Sequence, residues 1–74
     1  MRFNLTQKEV QLLNGQNILV DLTKDYTPEE ALELLDSVRA VEAMYAQDYG
    51  NERERMYFQY GKLADKMQQQ IPDD

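Results

Sequence analysis

The chain has 74 residues, 14 acidic against 8 basic, a formal net charge of −6, and neither cysteine nor histidine. That length allows one small domain, residues 1–74, near the lower limit for a core that stands without staples. The missing thiols and imidazoles exclude disulfides, thiolate or histidine metal sites and a histidine general base, and the acidic balance opposes binding to nucleic acid and to anionic membranes.

The first segment, RFNLTQKEVQLLNG, carries a T-x-x-E capping box at Thr6 and Glu9, with Leu5 and Val10 spaced as a hydrophobic staple across it. Gly15 suits the position past a helix end. The spacing predicts a helix over about 7–14, too short to stand alone and so bound to dock. LTQKEVQLL resembles the opening of helix-turn-helix segments in bacterial transcription regulators, which often read L-T-x-x-E followed by leucines. That resemblance would imply DNA reading only with a basic recognition helix, and NILVDLTKDY follows instead.

In QNILVDLTKDY, Ile18, Val20 and Leu22 alternate with Asn17, Leu19 and Asp21, close to period two. RFNL alternates upstream through Phe3 and Leu5. A small strand pair, 2–5 with 18–22, is expected; the alternative is an extended arm whose apolar residues cover the helices. DLTKD opens like a calcium loop but lacks the third oxygen ligand, the central glycine and the closing glutamate, so no metal is expected.

Next, TPEEALELLDSVRAVEAMYAQDYG has Thr27 as N-cap, Pro28 at the first helical position and Glu29 and Glu30 at the positive helix end. With Gly50 as terminator it predicts a helix over about 28–49. NERERMYFQYGKLADKMQQQ, capped by Asn51 with Glu52 and Glu54 in its first turn, predicts another over about 51–70. Pro72 stops it, and 72–74 form a frayed tail. Gly61 inside this helix costs roughly 1 kcal/mol relative to alanine.

A tight turn at Gly50–Asn51 would pack these two helices antiparallel. Tyr45 then meets Met56, Val41 meets Tyr60, Val38 meets Leu63, Leu34 or Leu35 meets Met67, and Ala31 meets Ile71, at the alternating spacing of a knobs-into-holes seam. The expected class is mainly α: a two-helix hairpin with the short helix and strand pair docked on it. Tyr45, Tyr49, Met56 and Tyr60 would form its wide aromatic end, rings buried and hydroxyls wet.

Three residues break this pattern. Phe58 falls opposite the Met56–Tyr60–Leu63–Met67 stripe, beside Arg55, Lys62 and Asp65; either it packs under the N-terminal segment or it anchors a partner. Met44 faces away from Leu35 and Ala31. Glu42 sits within the apolar stripe and needs a partner such as Arg39, Arg53 or a tyrosine hydroxyl.

No constellation supports catalysis, a cofactor or a small-molecule substrate. The chain resembles in style the small acidic proteins of bacteria and their phages or mobile elements. It is expected to be a non-enzymatic cytoplasmic interaction module without membrane or nucleic-acid binding. It would dock on a protein partner or a second copy through Phe58, Tyr57, Met44, Arg55 and Lys62. The alternative is an acidic DNA mimic that presents Asp21, Asp25, Glu29, Glu30, Glu33 and Asp36 to a nucleic-acid enzyme.

Overall fold

The computed structural model describes residues 1–47 and 51–72. The order is α1 (Gln7–Asn14), α2 (Pro28–Ala46) and α3 (Asn51–Gln70). Both α1 and α2 start with the same device. Thr6 N donates to Glu9 Oε1 (2.8 Å), and Glu9 N donates to Thr6 Oγ1 (3.2 Å). Thr27 N donates to Glu30 Oε1 (3.1 Å), and Glu30 N donates to Thr27 Oγ1 (3.2 Å). Each box satisfies two backbone donors that a helix start would otherwise leave orphaned.

The Glu30 carboxylate also takes Lys24 Nζ at 2.8 Å. Lys24 first, then the Thr27 donors, hold its pKa at about 2 instead of the usual 4.5. A depressed carboxylate adds stability above its unfolded pKa and loses it as pH falls through the folded value. Glu30→Gln should therefore lower the urea midpoint at neutral pH, with the gap to wild type closing between pH 4.5 and about 2. A gap that does not vary with pH would count against this carboxylate.

The chain reverses after α1 at an unexpected residue. Gly15 stays right-handed at φ −63°, while Asn17 takes the left-handed turn at φ 61°, which asparagine tolerates better than other non-glycine residues. Ile18 N then donates to Leu13 O at 2.9 Å.

The expected strand pair, 2–5 with 18–22, is not formed: the described residues hold no strand. The backbone groups of the first segment are taken elsewhere. Asn4 N donates to Gln70 Oε1 (2.7 Å), and Gln70 Nε2 donates to Asn4 O (3.0 Å). Met1 exchanges backbone hydrogen bonds with Tyr26, both at 2.7 Å. The period-two alternation instead sorts side chains in an extended arm: Phe3, Leu5 and Ile18 are buried, while Leu19 is 77% exposed.

α2 and α3 pack on each other, and they run antiparallel, since Tyr45 stacks on Tyr60 while the earlier Arg39 reaches the later Asp65. The seam is displaced by about a turn from its expected register. Tyr45 lies on Tyr60, with ring centroids 5.7 Å apart and planes within 5°, where Met56 was expected. α2 ends at Ala46, capped by Gln47, earlier than the expected end at about Tyr49. The roles assigned to Tyr49, to Gly50 and to the Asn51 and Glu52 side chains lie outside the described residues, as do residues 73 and 74.

Ala31, Leu35 and Val38 of α2 and Tyr60, Leu63, Ala64 and Met67 of α3 are buried together, sealed by Phe3, Leu5, Leu13, Ile18 and Tyr26. Leu34, Val41, Tyr45, Met56 and Ile71 border this core. The Tyr60 hydroxyl is not wet as expected; its ring is 1% exposed, and the hydroxyl donates to Leu12 O at 2.9 Å. Tyr45 Oη in turn accepts from Gln16 Nε2 at 3.0 Å. Two tyrosines thus fasten α1 and the turn that follows it to the hairpin.

Gly61 leaves α3 unbroken. A Cβ there would lie 2.6 Å from Glu42 Oε2, so the glycine makes room for the carboxylate, whose other oxygen accepts from Arg39 Nη1 at 3.1 Å. Arg39 is the partner that Glu42 required. Gly61→Ala alone should change stability little. The propensity gain of roughly 1 kcal/mol is offset by displacing a partly exposed ion pair worth under about 1 kcal/mol. In a Glu42→Ala background the same substitution should stabilise by nearly the full amount, and a double-mutant cycle in urea measures the coupling.

Candidate docking face

Phe58 does not pack under the N-terminal segment; it is 56% exposed. That segment docks on the other side of α3, where Glu9 Oε1 meets Lys66 Nζ at 2.7 Å and Leu12 O meets Tyr60. Phe58 is two residues from Tyr60, about 200° around the helix, so α1 cannot cover both. Its aromatic neighbour is the half-buried Tyr57, with centroids 5.6 Å apart and planes tilted by 60°.

Arg55, Phe58 and Lys62 follow i, i+3, i+7 spacing and share one exposed face of α3. Met44 does not join them. It is 51% exposed, but it stands about 200° around α2 from Glu42, which abuts Gly61. Met44 therefore points away from α3.

The basic residues differ in what they contact. Lys24, Arg39 and Lys66 are in ion pairs. Arg55, Lys62 and Lys8 make no ion pair among the described residues. Lys8, Lys62 and Lys66 rim a shallow groove of about 300 Å³ between α1 and α3, with Leu12 and Leu63 at its floor. Burial alone would raise the Glu9 pKa there, but the Lys66 and Thr6 hydrogen bonds outweigh it and hold the carboxyl below its usual range. Arg55 and Lys62 thus lie on the same face of α3 as the exposed Phe58 ring.

The acidic set is partly consumed by the fold. Asp21 accepts from Thr23 N and Oγ1 (2.9 and 2.6 Å), Asp25 pairs with the Met1 amine, and Glu30 holds Thr27 and Lys24. Glu29, Glu33 and Asp36 remain exposed on α2. Among the described residues no group of three or more acidic side chains is placed to hold a metal ion, and no helix is long and apolar enough to cross a membrane.

Two features were missed in the sequence. Tyr26 is a core residue, its ring 5.5 Å from that of Phe3 and tilted by 57° to it, with its hydroxyl accepting from Asp21 N at 3.0 Å. The signal was available: Tyr26 precedes the N-cap Thr27 as Leu5 precedes Thr6, with Ala31 at the matching staple position. Leu32, 48% exposed, borders a groove of about 380 Å³ with Ile71 and Pro72 at the open end of the hairpin. Only the tertiary structure brings those residues together. No family model, curated protein or solved structure matches the chain.

Proposed function

We propose that this chain is a non-enzymatic protein-interaction module of the small acidic bacterial or phage type, docking through Arg55, Phe58 and Lys62 with Tyr57 beside them. The carrying observation is that Phe58 stays exposed although the N-terminal arm, which could have covered it, spends its apolar residues on the opposite side of α3. A large exposed aromatic ringed by unpaired cations fits the anchor-and-rim pattern of docking sites. Affinity capture from the native host with wild-type and Phe58→Ser baits tests this. A protein retained by the wild type and lost by the variant at unchanged helicity supports the reading; identical capture by both removes it. The DNA-mimic alternative keeps only Glu29, Glu33 and Asp36 as an uncommitted row, short of the continuous ridge that mimicry requires.

A further inference from the structure

The anchor needs an occupant, and the chain carries a complement to it. Arg55, Phe58 and Lys62 read base–apolar–base at i, i+3, i+7; Glu29, Leu32 and Asp36 read acid–apolar–acid at the same spacing on α2. All six side chains are exposed. Each triplet spans about 10.5 Å of helix, so the two are matched in length, each with its apolar residue between its two charges.

The seam sets where the two triplets stand. Arg39 Nη2 binds Asp65 Oδ1 at 2.8 Å, which places these residues level across the hairpin. Leu32 lies seven residues before Arg39, and Phe58 seven residues before Asp65. Seven residues are nearly two whole turns, so each apolar residue shares the stripe of its reference residue. Because the helices are antiparallel, Leu32 and Phe58 stand on one face at roughly equal distances, about 10 Å, on opposite sides of the Arg39–Asp65 link.

We infer that this face is a two-fold self-docking surface, on which Arg55, Phe58 and Lys62 of one copy meet Glu29, Leu32 and Asp36 of the other. The inference rests on Phe58 being a docking anchor. A two-fold axis parallel to this face, passing over the Arg39–Asp65 link, brings the two faces together with α3 of one copy crossing obliquely over α2 of the other. Phe58 then falls on Leu32, at the groove bordered by Ile71 and Pro72, and Arg55 faces Glu29 while Lys62 faces Asp36. The second contact is the symmetry mate of the first, so the assembly closes at two copies. The net charge of −6 on each copy opposes association, so the dimer is weak and concentration-dependent.

Sedimentation velocity up to millimolar protein tests it. The wild type should shift from monomer to dimer with concentration. Phe58→Ser, Leu32→Ser, Lys62→Glu and Asp36→Lys should each stay monomeric at unchanged helicity, and Met44→Ser should still dimerise. The exchanged pair Lys62→Glu with Asp36→Lys should restore the dimer, because a closed two-fold contact regains opposite charges at both ends. A wild type that is monomeric throughout, or a dimer that survives both serine substitutions, overturns the inference. If the wild type is monomeric but Phe58→Ser loses a captured host protein, self-docking fails and the anchor reading stands. If Phe58→Ser changes neither association nor capture, both fail.

Discussion

Leu63→Ala should remove about 2–5 kcal/mol of stability, the usual result of truncating a leucine in a packed core. Leu63 is 3% exposed and lies in one cluster with Val38, which is fully buried. A chain of this length has roughly 4–11 kcal/mol in total, on the per-residue scale of small domains. The variant should therefore be marginal at best, with a urea midpoint well below wild type and a partly unfolded population in buffer. The neighbouring positions make collapse around the void difficult: Tyr60 is fixed by its hydrogen bond to Leu12 O, and the Ala64 methyl is too short to reach into it. An unchanged midpoint would show that the α2–α3 seam is not where the stability resides.

Removing residues 1–22 should abolish cooperative unfolding. Phe3, Leu5, Leu13 and Ile18 supply four of the buried core side chains, each worth about 1.5–3 kcal/mol of burial. Together, roughly 6–12 kcal/mol is comparable with the whole stability of the domain. The truncated hairpin would expose Tyr60, Leu63 and Met67, not Phe58, which is open already. Thermal denaturation should lose its sigmoid transition, and light scattering should reveal aggregation through the uncovered stripe. A truncated chain that still melts sharply would mean that the hairpin holds its own core.

Where the physics is local, the order of residues along the chain was enough to dictate the structure. Thr6 with Glu9 and Thr27 with Pro28 fixed two helix starts, because a cap uses only residues within one turn. The apolar spacing of Ala31, Leu35 and Val38 against Leu63 and Met67 fixed which faces turn inward, because burial follows helical period. It also required a partner for Glu42, and Arg39, one turn away, supplies it.

What remained was decided at a distance. The alternation at Ile18–Leu22 gave sidedness but not pairing, because the Asn4 backbone is satisfied by the Gln70 side chain, far along the chain. The register of the hairpin depended on where α2 stops, a boundary that periodicity alone does not mark. The exposure of Phe58 depended on which side of α3 the arm would choose, and Tyr60 and Lys66 drew α1 to the other side. The Arg39–Asp65 link, which places Phe58 and Leu32 on one face, joins two helices. Contacts between elements depend on their relative placement, and a one-dimensional pattern of apolar and charged residues leaves that placement open.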